Sequence, residues 1–234
     1  MGDALKSKVL AFIQTWDHHY GKPEAPTVAP PSSSADAAAV EAVAAKNAQI
    51  VAGVALGLHG PPSEGVEAAR KLMQHFVDWN EVRVSRTQTQ VAVLGKQPRA
   101  AERVALLQRF IQTYFLKQRN LDLDELYYSR KNSEKLKPPE VKRFLTELQV
   151  FDREELAAML LTGFRQPVFP PADALREVAV RAGLVQRKTT TLKMAKKFET
   201  SLDESQLYAL YSHLYALAND PERETLLAKH KKRK

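Results

Sequence analysis

The chain has 234 residues, 44% hydrophobic and 26% charged, a mixture that supports a packed core and excludes wholesale disorder. Thirty-five Lys and Arg against 27 Asp and Glu give a formal charge of +8. That balance favours a polyanionic partner, because each cation laid on a phosphate releases a condensed counterion. The absence of cysteine excludes disulfides, thiolate nucleophiles, thiolate zinc sites and cysteine-held iron–sulfur clusters, and no cofactor or metal is expected.

No run of about 18 uninterrupted apolar residues occurs, so no membrane partner is expected. The opening MGDALKSKVLAF lacks the apolar core and cleavage site of a signal peptide, and Lys6 stands where a myristoylation motif wants Ser or Thr. A cytoplasmic location is the resulting expectation. In chain order, Leu5, Val9, Phe12, Ile13 and Trp16 recur at three- and four-residue spacing and predict an N-terminal helix over 1–21, stopped by Gly21 and Pro23. Residues 22–35 are rich in Pro, Ala and Ser and read as an extended linker. An Ala- and Val-rich buried helix follows from the N-cap Asp36 to about residue 58. After the loop at 59–64, an amphipathic helix runs from 62 to 76. Further helices are expected at about 86–94, 99–118, 122–128, 138–149, 152–163, 171–183, 189–198 and 203–218. Strand signals are nearly absent, apart from the short alternation Val82-Arg83-Val84. The expected fold is all-α: a main helical domain over 36–228, then a bare cationic tail at 229–234.

Several blocks carry a resemblance. FVDWNEVRVS (76–85), RAAERVALLQRFIQTYFLKQRNLDLDELY (99–127), EVKRFLTELQVFDREELAAMLLTGFRQPVFPPADALREVAVRAGLV (140–185) and SQLYALYSHLYALAN (205–219) succeed one another in a recognisable order and spacing. So does the early HHYGKPEAP. Together they resemble the endonuclease III branch of the helix-hairpin-helix DNA glycosylases. The resemblance covers most of residues 8–219 and is weakest over 25–55. It implies a two-lobed helical array, a hairpin region at about 138–163, and a DNA-binding cleft.

The resemblance also implies functional positions, and this chain departs from the pattern at each. The hairpin's two glycines let backbone N–H groups approach a phosphate; their places fall at Val150 and Asp152. The lysine that would attack the sugar and form a Schiff base falls at Glu154, followed by Glu155. Lys137 and Lys142 lie a turn or more earlier, with no reason to reach the same place. The aspartate of the family's VDTH segment falls at Ala172, although Asp173 follows; a shift by one residue rotates a helical side chain by about 100°. The base-gap filler corresponds to His59-Gly60-Pro61-Pro62, which holds no glutamine, and the cationic tail lies where a cluster loop would be.

Other residues admit two readings. Asp152, Glu154 and Glu155 are either favourable charge at a helix start or a carboxylate set for hydrolysis. Asp173 is a first-turn residue or the substitute acid. His18 and His19 point about 100° apart on a helix, which suits surface residues better than metal ligands. His213 reads as a hydrogen-bonded, half-buried packing histidine rather than a ligand, and Tyr208, Tyr211 and Tyr215 as a core stripe rather than a base-stacking platform. The candidate DNA contacts are Arg153, Arg187, Lys188, Lys193, Lys231, Lys232 and Arg233. The expected function is DNA binding through backbone contacts without lyase chemistry. The alternatives are a monofunctional glycosylase using Asp173 or a glutamate, and a protein-interaction scaffold.

Overall fold

Apolar side chains at helical spacing run through almost the whole sequence, and they fold as helices throughout. The computed structural model describes residues 2–30, 36–58, 62–128 and 135–232, with side chains through Ala228 apart from Gly2, Pro62 and Ser63. The α-helices are α1 (Gly2–Tyr20), α2 (Ala37–Gly57), α3 (Pro62–His75), α4 (Trp79–Val84), α5 (Thr87–Leu94) and α6 (Ala100–Gln118). A 3₁₀ turn at Leu123–Leu126 is followed by α7 (Pro138–Glu147), α8 (Arg153–Thr162), α9 (Asp173–Arg181), α10 (Thr191–Ser201), α11 (Glu204–Asn219) and α12 (Arg223–Lys232). Among the described residues there is no strand, only an isolated antiparallel bridge between Tyr128 and Lys135. The fold is all-α. Two helices lie outside the expected set: α4, where the short alternation hinted at a strand, and α12, whose backbone carries helix into the segment expected to be a bare tail.

The chain divides into two units. One comprises Met1–Glu24, Arg153–Leu161 and Arg165–Lys234. Its core takes Val9, Phe12, Ile13 and Trp16 from α1, all buried, against the buried faces of α10 and α11. Gly21 ends α1 with φ +83°, and its N–H returns to the Asp17 carbonyl, a left-handed stop that glycine adopts without strain. Polar bonds then fix α1 in place. His213 Nε2 lies 2.8 Å from Asp17 Oδ1, and the Tyr20 hydroxyl donates to Asp220 at 2.7 Å.

The other unit comprises Ala25–Asp152 and Thr162–Phe164. Asp36 caps α2 by accepting from the Ala38 N–H, as expected. The helix is long and apolar enough to cross a membrane by length and composition alone, and half of its most apolar window is buried within the protein. Its second half, from Asn47 to Gly57, packs against α3 and α6. Glycine permits the closest approach: a methyl built on Gly65 would fall 2.0 Å from the Gly53 carbonyl oxygen and 2.7 Å from the Gly57 nitrogen. The last turn of α2 finds its partner in α6. Arg103, 0% exposed, donates from Nε to the Leu56 carbonyl at 2.6 Å, with Glu64 at 3.5 Å from the guanidinium. This satisfies a carbonyl that the helix itself cannot bond. Part of the expected linker is also tied down: the buried Asn47 amide both donates to the Ala29 carbonyl and accepts from the Ala29 N–H.

Candidate nucleic-acid interface

The block FVDWNEVRVS is a self-capping turn. Asp78 accepts from the Glu81 N–H at 2.7 Å, and Glu81 accepts from the Val77 N–H at 2.6 Å, so two orphan donors at the start of α4 are satisfied reciprocally. Trp79 and Val82 enter the core. Arg83 bonds Asn80 and Gln112 and lies 4.2 Å over the Phe115 ring. The buried Gln90 holds the far end through the Val82 carbonyl and the Ser85 hydroxyl. The side chains that carry the resemblance here build local structure.

The loop that follows α7, where the resemblance implied two glycines, is built by side chains. Leu148 is right-handed and Gln149 left-handed at φ 52°, a pairing that in other loops turns successive N–H groups toward an anion. Here those N–H groups go to the carbonyls of Phe144 and Thr146 and close α7. At the glycine positions, Val150 is buried, with its carbonyl held by Arg109 at 2.8 Å, and Asp152 is exposed. Phe151 between them packs 5.3 Å from Phe110. Side-chain burial therefore sets this loop, and Asp152 lies outside it in solvent.

Arg153, Glu154 and Glu155 form the first turn of α8, the first two exposed and Glu155 partly so. Arg153 thus stands beside three carboxylates, counting Asp152. Burial, with smaller contributions from Tyr215, Glu154 and Tyr208, raises the Tyr211 phenol far above its ordinary value. Ala172 is buried at the N-cap of α9 and supplies no capping bond, while Asp173 is exposed in the first turn. A cavity of about 380 Å³ opens beside α7, lined by residues including Tyr114, Phe144, Glu140 and Glu147; it contains none of the expected site residues.

The basic residues before and within α10 do come together. From Ala182 to Phe198 the sequence has Arg187, Lys188, Lys193, Lys196 and Lys197 and no acid. The Thr189 N–H bonds the Gln186 carbonyl at 2.9 Å, closing a β-turn whose central residues are Arg187 and Lys188, both exposed. Thr190 then caps α10 by accepting from the Lys193 N–H. Met194, Ala195 and Phe198 bury one face of the helix, which leaves Lys193, Lys196 and Lys197 on the solvent face at i, i+3 and i+4. Among the described residues, none of these five cations is in an ion pair. The sequence reading did not single out Arg176. Its spacing suits a surface pair with Asp173, but its guanidinium instead donates to the carbonyls of Arg187 and Thr189. Nothing in local spacing signals a contact made across a loop.

His18 and His19 are exposed, and no group of three or more potential metal ligands occurs among the described residues. His213, Tyr208 and Tyr211 are buried in the core, with Tyr215 at its edge. The side chains of Lys231 and Lys232, the residue Arg233, and the loop residues His59, Gly60 and Pro61 lie outside the described residues. Comparison with protein-family models finds no matching family, and comparison with the curated proteins finds no match.

Proposed function

We propose that this chain is a degenerate, non-catalytic relative of the endonuclease III branch, a two-lobed helix-hairpin-helix protein that binds the DNA backbone. The observation that carries the reading is the cationic turn and helix at 187–197. Lys193 sits in the first turn of α10, where the positive end of the helix dipole disfavours a cation. Lys193, Lys196 and Lys197 repel one another at i, i+3 and i+4, a cost of about 0.2–0.5 kcal/mol per pair in an isolated helix. Among the described residues no ion pair offsets these penalties, and local rules broken in this way are expected at functional surfaces. A phosphate backbone relieves both penalties at once.

Lyase chemistry is left out of the proposal because the lysine position holds Glu154, and a carboxylate forms no Schiff base. The all-helical fold and the order of the sequence blocks support the family reading.

Fluorescence anisotropy with a short labelled duplex at low salt tests the reading. Binding at micromolar affinity or tighter is expected, with log K falling against log[salt] at a slope of about −4.5 if each of the five cations neutralises one phosphate. The double variant Lys193→Glu/Lys196→Glu is expected to bind at least tenfold more weakly. Borohydride treatment on abasic DNA is expected to leave no covalent adduct. Absence of binding at low salt overturns the DNA reading, and a trapped adduct overturns the non-catalytic one. Oligonucleotides carrying uracil, oxidised or alkylated bases address the hydrolytic alternative, which requires a product that disappears in Asp173→Asn.

A further inference from the structure

The cationic turn presents two side chains outward, but a turn also exposes carbonyl oxygens, and a carbonyl facing a phosphate is repulsive. In this protein the carbonyls on either side of Lys188 are engaged. Arg176 projects from α9 and donates from Nε to the Thr189 carbonyl and from Nη2 to the Arg187 carbonyl, both at 2.5 Å. The planar guanidinium is a fork with fixed geometry, so two bonds from one arginine lock the relative orientation of the two peptide groups. The same turn is closed by the Thr189 N–H bond to Gln186, and Thr189 itself is buried, which anchors its far end immediately before the Thr190 cap.

We infer that Arg176 is a positioning residue for polyanion binding. It withdraws two carbonyl oxygens from the solvent side of the turn and holds Arg187 and Lys188 in register with Lys193 for consecutive phosphates of a nucleic-acid backbone. This rests on the DNA-binding reading given above. Arg176 is assigned to the turn and not to a phosphate, because its Nε and Nη2 both donate to the two carbonyls. Its effect on affinity comes from the order it imposes, since a loop held in its binding conformation loses less entropy on binding.

The experiment compares Arg176→Lys, Arg176→Ala and Lys193→Ala in duplex binding over a range of salt, alongside amide hydrogen exchange of the free proteins. Lys193→Ala is expected to reduce the magnitude of the salt slope by about one, the signature of a lost phosphate contact. Arg176→Ala is expected to weaken binding about tenfold with the slope unchanged. Arg176→Lys keeps the charge but not the fork, and is expected to lose most of the same affinity while retaining the wild-type melting temperature within a few degrees. In both Arg176 variants the Thr189 amide is expected to exchange faster than in the wild type. Unchanged affinity and exchange in Arg176→Lys overturns the inference, as does a slope that drops by one in Arg176→Ala, which makes Arg176 a phosphate contact. Wild-type protein that binds no duplex overturns the underlying DNA reading, and faster Thr189 exchange in the variants then still reports the staple, without a nucleic-acid role.

Discussion

His213 is 1% exposed and shares a bond with Asp17, two features that act on its proton in opposite directions. Burial is the larger effect and lowers its pKa below the ordinary 6.5, although the Asp17 carboxylate favours the charged ring. The folded state therefore holds a neutral imidazole, while the unfolded chain binds a proton at about 6.5. Stability from this group is complete above that value and is lost as pH falls through the window between 6.5 and the lowered folded pKa, because the unfolded state binds more protons there. Thermal melts are expected to be level from pH 8 to 7 and to decline from pH 6.5 to 5. His213→Gln, which keeps a polar partner for Asp17, is expected to remove that decline; an undiminished decline in the variant places its origin elsewhere. The sequence identified His213 as a packing residue from its neighbours at three- and four-residue spacing. Asp17 was beyond reach, because 196 residues separate the partners.

At the scale of elements, α2 and α3 meet on glycines. Gly53 and Gly57 on α2 face Gly65 on α3, and each atom that a Gly65 methyl would meet belongs to the backbone, which has no rotamer to escape by. Gly65→Ala therefore forces the helices apart, and overpacking of this kind costs on the order of 3 kcal/mol. For a chain of this size that corresponds to a fall in melting temperature of about 6–12 °C. Gly183→Ala offers the contrast: open space surrounds the site, and only the positive φ of 76° is strained, so a loss of about 1 kcal/mol is expected. Equal losses in the two variants would show that α2 and α3 do not cross on glycine.

Element boundaries were legible where apolar periodicity runs over several turns. Residues 99–118 became Ala100–Gln118, and 203–218 became Glu204–Asn219. Two helices escaped for separate reasons. α4 has six residues, less than two turns, and its signal is the capping pair Asp78 and Glu81 rather than a stripe. In α12 the residues RETLLAKHKK carry no apolar periodicity, and Leu227 alone among its described side chains is buried.

At the scale of the whole molecule, the chain closes one unit from its two ends. α1 contributes Val9, Phe12, Ile13 and Trp16 to a core otherwise supplied by residues beyond 153. Each such side chain contributes about 1.5–3 kcal/mol when fully buried, so removal of α1 withdraws about 6–12 kcal/mol. That is comparable to the entire stability of a typical domain. Deletion of residues 1–20 is expected to abolish cooperative melting of this unit while the helices of 25–152 keep their circular dichroism. Retention of the native amide protection pattern in α10 and α11 would refute this.

The sequence by itself determined the all-helical class, because apolar residues at a period of 3.6 share one face only along helices. It also located the cations of 187–197. Only the tertiary structure decided that Arg176 staples the cationic turn, that Arg103 completes the end of α2, and that α1 belongs with the C-terminal helices. Those are contacts between residues far apart in the chain, and their geometry arises only when packing brings the elements together.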